Sequence, residues 1–483
     1  MTTYFESVFG FAEKGRYDAV RDKLISAAGG LPIVLEKTSK GHPVTFTLPF
    51  LSPGAKGAAT SSRVVHAGTF STPSVRELRE AADAMFGPPA AANGGGHGRV
   101  ELRNIVGDSL ALHCDSQYFG AVFQAASQFN CLEFVSASGV PENGIGVYEL
   151  DHTQGPACAI ACGAGTAVRN YLAVVDAHHH ASVTPHPWLA AGRPCAAEEV
   201  TTGSHAPGGG PGASQRPPTA TLTADEVGQR RHRQINNLHD AHLYLAEQVA
   251  ASPLPSASAS GPTGAKAASA APTGAKKSYA ATAPPLLDIT NGYVESTKEQ
   301  LTALNALLAH SASARDEAIA RMRIGVMYDT EVTARWSGGA APPPPAGGSS
   351  HRVTQTFNSA ISIGYSKVPH AKWEPLARMV LEASYEATLL AGVLNAKRHA
   401  VKPRREAAQV GGGRTGSATL VGLPPVVLTK IGGGVFRNDS AWIQEAIKKA
   451  CASVAPRLAQ DEVLRVYVTH FGRTETGYSE LDF

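Results

Sequence analysis

Val426-Val-Leu-Thr-Lys-Ile-Gly-Gly-Gly-Val-Phe-Arg-Asn-Asp439 is the stretch of sequence that decides the fold. Its apolar start is typical of a short strand buried in a sheet, and a helical pattern follows its end. The three successive glycines in between permit positive φ and leave backbone N–H groups uncovered. Those donors, together with the positive end of the next helix, can bind an anion. A tight turn without a ligand explains the same residues equally well.

Strands and helices alternate on both sides of this loop. The predicted helices are Gly155–Tyr171, Gln234–Val249, Leu301–Leu308, Trp373–Ala396 and Ala441–Val454, and the predicted strands are Val100–Ile105, Gly120–Ala126, Arg323–Tyr328, Gln355–Tyr365, Pro425–Thr429 and Leu464–Val468. Another helix is predicted to begin at a capping box formed by Ser74 and Glu77. This alternation predicts an α/β sandwich.

Length and composition predict several segments rather than one continuous domain. The 483 residues suffice for two or three domains, but 49 glycines and 32 prolines indicate that part of the chain is linker. We expect an N-terminal extension at 1–92 and the first part of a core at 98–180. A mostly disordered low-complexity insertion is expected at 181–285, and the second part of the core at 286–483.

Charge, cysteine usage and the first residues exclude several protein classes. The chain has 43 basic and 40 acidic residues and no concentrated basic face, so we expect no specific nucleic-acid partner. Its six cysteines do not form a disulfide framework in a chain of this length. Residues 1–7 lack the start of a signal peptide, and no stretch approaches the roughly 18 apolar residues of a membrane helix. We therefore expect a cytoplasmic or nuclear protein that does not contact a membrane.

Two further segments carry groups suited to chemistry. Asp108 follows a predicted strand, where its carboxylate could accept from an adenine amino group, although a turn or helix cap explains it as well. Glu149, Asp151, His152 and Gln154 cluster just before the helix of small residues. That density of acid and base groups favours a catalytic site over a solvated loop.

His178, His179 and His180 are the remaining candidates for metal ligands. Three consecutive imidazoles cannot all turn to one ion on regular structure, so a solvent-exposed loop is the favoured interpretation. The sequence also lacks a Gly-x-Ser-x-Gly elbow and a phosphate-binding P-loop. We expect no metal and no cofactor.

Taken in their order, these segments resemble the macrodomain family. Val106–Asp108 is similar to its Gly-Asp motif, Gln124–Ser127 to its second motif, Gly155–Ala161 to its glycine-to-helix junction, Trp373–Ala396 to its long late helix and Gly432–Asn438 to its phosphate loop. The resemblance covers roughly 98–180 and 286–471, and the order of several weak motifs is more specific than any one of them. It implies a three-layer α/β/α macrodomain-like mixed sheet with low-complexity insertions. The Gly-Val-Phe-Arg-Asn-Asp run is most similar to the microbial poly(ADP-ribose) glycohydrolase branch.

The resemblance implies ADP-ribose as ligand and a role for individual residues. Asp108 would contact adenine, and Gly155 would approach the near phosphate. Ser127 stands where the family has its distal-ribose asparagine, and Asn130 is a substitute for it. The diphosphate and distal ribose would be held by the loop residues Gly432, Gly433, Gly434, Val435, Phe436 and Asn438.

Two departures from the family pattern bear on catalysis. Thr153-Gln154-Gly155 replaces the family's three glycines, and the two adjacent glutamates of the glycohydrolase branch have no counterpart after them. The carboxylates Glu149 and Asp151 come before the glycine instead. Three functions remain open: a hydrolase of ADP-ribosyl bonds that uses Asp151 or His152, a module that binds ADP-ribose without turnover, and a degenerate fold that serves as an interaction scaffold.

Overall fold

The computed structural model describes residues 3–50, 61–87, 98–175, 226–251, 285–334, 350–399 and 421–483. The run from His178 to His180 and most of the predicted low-complexity insertion lie outside these residues.

One mixed sheet forms the centre of the molecule. The strands are β1 Val44–Phe50, β2 Ser61–Ser71, β3 Arg99–Val106, β4 Val122–Ala126, β5 Asp288–Thr290, β6 Tyr293–Glu295, β7 Gly325–Glu331, β8 Arg352–Asn358, β9 Val421–Gly422, β10 Val426–Leu428, β11 Glu462–His470 and β12 Leu481–Asp482. The order in the sheet is β1-β2-β7-β8-β4-β10-β11-β3-β12, with β9 beside β11 and a separate hairpin of β5 and β6. The strands from β8 to β3 in this order run parallel, and both ends of the sheet are antiparallel.

Helices cover both faces of this sheet. They are α1 Tyr4–Phe9, α2 Tyr17–Ala27, α3 Leu31–Ser39, α4 Val75–Phe86, α5 Ser109–Cys114, α6 Gln154–Ala161, α7 Gly163–Ala167, α8 His239–Ala251, α9 Lys298–His310, α10 Ala312–Arg321, α11 His370–His399 and α12 Ser440–Val454. On one face, a single apolar core packs against helix α4 and the five helices from α8 through α12. On the other face, two further clusters pack against α1, α2 and the three helices from α5 through α7. The predicted α/β class is therefore confirmed. Among the described residues, no helix has the length and the apolar character to cross a membrane.

Alternation along the strands explains the layering. On β4, Val122 packs into the core of one face, while Phe123 and Ala125 pack into the clusters of the other. On β10, Val426 packs into the core on the first face and Val427 packs into a cluster on the second. These strands are apolar on both sides because both of their faces are covered by helices.

The helix predicted at Gly155–Tyr171 is wrong as a single element. It divides into α6, α7 and a π-helical turn at Val168–Leu172, because Cys162 leaves the helical region with φ −121° and ψ 60°. The N–H groups of Thr333 and Ala334 both donate to the Ala161 carbonyl, at 2.8 and 3.2 Å. This tertiary contact supplies the donors that a continuing helix would supply. By contrast, the capping box predicted at the start of α4 is confirmed.

The N-terminal extension contributes strands to the central sheet. β1 pairs with β2, and β2 pairs with β7 in the register Thr69↔Tyr328. Its helices α1 and α2 pack into the same apolar cluster as β4 and the loop after it. The boundary predicted at residue 92 stays a prediction.

Buried His113 predicts a pH dependence of stability. Its ring stacks on Phe123, its Nδ1 donates to the Ser109 carbonyl at 2.7 Å, and its Nε2 accepts from Gln355 Nε2 at 3.1 Å. Burial lowers the pKa of His113 from 6.5 to about 4, because the charged imidazolium would lose its contact with water. A proton on Nε2 would also point at the Nε2 donor of Gln355. The unfolded chain therefore binds a proton below pH 6.5 that the folded chain takes up only near pH 4.

We expect stability to fall as the pH is lowered from 6.5 to about 4, and His113→Gln to remove this part of the dependence. At 1.4 kcal/mol per pKa unit the effect totals about 3 kcal/mol. Urea denaturation of both proteins across this range measures it. Parallel losses of stability in the two proteins would contradict the assignment to His113.

Candidate functional site

The chain connections of the sheet reverse between β4 and β10, and the place beyond the carboxyl ends of these two strands is named the crevice. These strands are adjacent and parallel, but β4 leads to α6 on one face of the sheet and β10 leads to α12 on the other. In open α/β sheets, ligands bind outside the carboxyl ends of strands at such a reversal. β10 pairs with β4 only through Val426 and Val427, whereas β4 continues beside β8 to Ala126. The end of β4 therefore lacks a neighbouring strand on the β10 side.

The side chain of Gln154 covers this open strand edge. Its Oε1 accepts from the Ala126 N–H at 2.7 Å, and its Nε2 donates to the Gln124 carbonyl at 2.8 Å. Gly155 is required next to it, because a Cβ there would lie 2.0 Å from the Ala126 carbonyl oxygen. The catalytic role of Gln154 stays a prediction, but its amide already has partners at both ends, which gives it a structural function.

The glycine loop Gly432–Asn438 follows β10 directly and forms one wall of the crevice. Gly432 has φ +70°, and its carbonyl accepts from the Asn438 N–H at 2.9 Å. Within the described part of the chain, the N–H groups of Gly434, Val435 and Phe436 have no hydrogen-bond acceptor. Successive free N–H groups on one turn are donors that can bind an anion.

Two further residues, Asp439 and Asn438, hold the end of this loop through side-chain hydrogen bonds. Asp439 caps α12, where its carboxylate accepts from the Ala441 N–H at 2.8 Å, so the open donors belong to the loop rather than to the helix terminus. Asn438 is buried, and its Nδ2 donates to the Ile361 carbonyl at 2.8 Å. That bond ties the loop to the segment after β8. The predicted ligand contact of Asn438 stays a prediction.

An aromatic cluster lies beside the glycine loop. The ring of Phe436 meets Tyr293 and Tyr365 edge to face, with centroids 5.5 and 5.9 Å apart. Phe436 is buried, whereas Tyr365 is 46% exposed. The Tyr293 hydroxyl donates to the Phe134 carbonyl at 3.1 Å, which links the cluster to the loop after β4. Burial, the Tyr365 hydroxyl and the charge of Asp151 all raise the pKa of Tyr293.

The predicted catalytic residues have different surroundings. Asp151 Oδ1 accepts from the Thr153 N–H at 2.6 Å and caps a turn, while its side chain stays partly exposed. His152 is exposed. Glu149 accepts a hydrogen bond from the N–H of Tyr4. Within the described part of the chain, the carboxylate of Asp151 is therefore bonded only inside its own turn, and His152 is exposed.

Three predicted ligand residues are engaged with the protein itself. Asp108 caps α5 by accepting from the Ala111 N–H at 3.0 Å, which matches the alternative interpretation as a helix cap. Ser127 is buried and donates to the Leu132 carbonyl at 3.1 Å. Asn130 is also buried, and its amide donates to Gln234 Oε1 at 2.8 Å. Their contacts with a ligand stay predictions.

Sequence reasoning missed a buried ion pair under the crevice. Arg169 Nη1 and Glu133 Oε1 lie 2.8 Å apart, and both side chains are fully buried. A Cβ on Gly155 would lie 3.2 Å from Glu133 Cγ, so the pair supports the floor of the crevice. Burial raises the pKa of Glu133, while Arg169 favours its charged form. The sequence does contain a sign of this pair, because Glu133 is a charged residue within the apolar run Cys131–Phe134, and a buried charge needs a partner of opposite charge.

Arg437 was also missed, although it lies inside the quoted loop. It has positive φ, +57°, it is exposed, and it directly follows the residues with the free N–H groups. Its aliphatic part packs against Gly364, where a Cβ would lie 3.2 Å from Arg437 Cγ. A basic side chain beside free amide donors adds positive potential at this wall. Among the described residues, no group of three or more His, Cys, Asp or Glu side chains could hold a metal ion.

Comparison with known proteins gives matches among solved structures. No protein-family model and no curated protein matches the chain. Poly(ADP-ribose) glycohydrolase from Deinococcus radiodurans, in complex with ADP-ribose, is similar at 16% identity and a TM-score of 0.20, over 36% of this chain and 55% of that one. The enzyme from Thermomonospora curvata is similar at 14% identity and a TM-score of 0.17, over 36% and 54%. The chain thus spans about half the length of the structures that it matches.

Proposed function

We propose that the chain binds ADP-ribose or a related nucleotide diphosphate in the crevice between β4 and β10, and that it hydrolyses an ADP-ribosyl bond there. The observation that carries this proposal is the run of free N–H groups from Gly434 to Phe436 at a point where the strand connections reverse. A diphosphate matches such a site because its oxygens accept from several amides at once.

The walls of the crevice suit the rest of such a ligand. Arg437 adds a positive charge at the diphosphate, and the aromatic cluster offers an apolar surface to the neighbouring ribose. Gly155 lets the opposite wall approach closely. Asp151 and His152 come directly before the helix that begins at Gln154 beside the end of β4, and we assign their segment to the side of the distal ribose.

Hydrolysis at this position needs one base. Asp151 or His152 takes a proton from a water molecule whose oxygen bonds to the anomeric carbon of the distal ribose. The bond from that carbon to the leaving group breaks, and the leaving group takes a proton from solvent. The backbone amides hold the diphosphate throughout, which fixes the sugar relative to the water.

A module that binds ADP-ribose without turnover is the second candidate. The observation in its favour is that Glu149 and Gln154 already have protein partners, which leaves few groups for proton transfer. The two candidates predict the same binding and differ only in turnover.

Asp151→Asn is expected to abolish turnover while ADP-ribose binding stays within a few-fold of the wild type. The asparagine keeps an oxygen for the Thr153 N–H but cannot take a proton, and loss of a general base costs about 10²–10⁴ in rate. Release of ADP-ribose is measured from poly(ADP-ribose), a glutamate-linked ester and an arginine-linked N-glycoside, with binding measured by calorimetry. His152→Ala is assayed in parallel to decide between the two bases.

Asp115→Asn is the matched control, because Asp115 caps a turn through the same bond to a residue two positions on. It is expected to behave as the wild type. If the wild type binds ADP-ribose but releases it from none of the three substrates, the binding module is the correct function. If the wild type binds no ADP-ribose, the interaction scaffold remains.

A further inference from the structure

Glu13 lies in the connection between α1 and α2, and its carboxylate holds a distant loop. Its Oε1 accepts from the Ile145 N–H at 2.8 Å and from the Tyr171 hydroxyl at 2.6 Å, and its Oε2 accepts from the Gly146 N–H. Both oxygens are therefore in use. The loop is shaped to receive them, because a Cβ on Gly144 or Gly146 would lie 2.9 or 2.6 Å from the carboxylate.

A second residue of the extension strengthens this attachment. The Tyr4 hydroxyl donates to the Ile145 carbonyl at 2.8 Å, and the Tyr4 N–H donates to Glu149. On its inner side the loop is fixed by Tyr148, a fully buried residue whose hydroxyl accepts from the Glu133 N–H at 3.1 Å. The segment Gly144–Glu149 is thus held between the N-terminal extension and the floor of the crevice.

This segment leads directly into the proposed catalytic residues. The Asp151 N–H donates to the Tyr148 carbonyl at 3.2 Å, so the place of Asp151 depends on the segment before it. We infer that Glu13 is a positioning residue of the proposed catalytic site: it fixes Ile145 and Gly146, and through them the placement of Asp151 and His152. The inference rests on the proposed function and gives the N-terminal extension a part in it.

The chemistry of the contact requires a carboxylate. Three donors converge on Glu13, and an ionised carboxylate accepts all of them, whereas a glutamine amide has one accepting oxygen. In Glu13→Gln, the amide nitrogen would face an N–H or O–H donor. The variant therefore keeps the size of the side chain but loses at least one hydrogen bond to the loop.

Glu13→Gln is expected to lower kcat by roughly tenfold to a hundredfold, as a misplacement of about 1 Å does, with Kd for ADP-ribose nearly unchanged. The binding loop at Gly432–Asn438 is far along the chain and makes none of the contacts of Glu13. Hydrogen exchange of the peptide that contains the Ile145 and Gly146 amides is expected to accelerate about tenfold, because at least one of the two amides loses its acceptor. The measurements are kcat on the three ADP-ribosyl substrates, Kd by calorimetry, and exchange by mass spectrometry.

Glu36→Gln is the matched control, since Glu36 is an exposed glutamate of the same extension whose ion-pair partner among the described residues is Lys40, just after α3. It is expected to leave kcat, Kd and exchange unchanged. The inference is overturned if Glu13→Gln turns over like the wild type, if the fall in kcat comes with a comparable rise in Kd, or if exchange at Ile145 and Gly146 does not change. A wild type without turnover instead removes the proposed hydrolysis, and with it the reaction that Glu13 would serve.

Discussion

Gly434→Glu is expected to abolish ADP-ribose binding, with a loss of at least about a hundredfold in affinity, or more than about 2.7 kcal/mol. The new carboxylate would lie at the three free N–H groups and repel the diphosphate that they are proposed to bind. The fold should tolerate the change, because a Cβ on Gly434 meets no atom within 4 Å. Calorimetric titration with ADP-ribose, together with a thermal melt of both proteins, measures both effects.

Gly434→Gln separates charge from size in this experiment. It adds the same number of heavy atoms without the negative charge, so we expect a smaller loss than for the glutamate. Gly432 is unsuitable as a control, because it has φ +70° and a Cβ there would lie 2.5 Å from Ala360 Cβ. Wild-type affinity in a folded Gly434→Glu protein would show that the ligand does not bind at this loop.

Arg169→Met is expected to lower the free energy of unfolding by about 3–5 kcal/mol, the usual cost of removing one partner of a buried ion pair. The substitution leaves Glu133 fully buried without its guanidinium. It also removes the cation above the Phe357 ring, which now lies 3.7 Å from the guanidinium carbon. Urea denaturation at neutral pH measures the loss.

The pH dependence and a double variant test the electrostatic cause. Without Arg169 the folded-state pKa of Glu133 rises further above its unfolded value, so folding takes up a proton and the loss shrinks as the pH falls towards the usual glutamate range. Glu133→Gln in the Arg169→Met background is expected to recover part of the stability at neutral pH. An equal loss in the single and double variants at every pH would attribute the effect to packing alone.

The sequence predicted those features of the fold that local pattern determines. The strand, the glycine loop and the helix around Gly432–Asn438 follow from the apolar period and from the permitted φ of glycine, and the structure has all three. The capping box at Ser74 and Glu77 is local in the same sense. The break at Cys162 was not predictable, because its cause is donation from Thr333 and Ala334, about 170 residues later.

The positions of the segments around the candidate site were predictable in outline, whereas the contacts between their side chains were not. The carboxyl ends of β4 and β10 bring Gly155 and the glycine loop to one edge of the sheet, as the order of motifs indicated. Glu13 reaches Ile145 across 132 positions, and Arg169 reaches Glu133 across 36. The spacing of apolar residues along the chain cannot predict contacts between residues so far apart in the sequence. Only the strand order brings these groups together.

The amide of Gln154 has a consequence for solubility as well as for the site. An uncovered strand end offers an N–H and a carbonyl to any extended chain, and such edges are where sheets associate and aggregate. Here the short β10 leaves that edge at Ala126 and Gln124, and one side chain occupies both groups. The sheet can therefore contain an incomplete strand pair at its centre without exposing these two groups to an added strand.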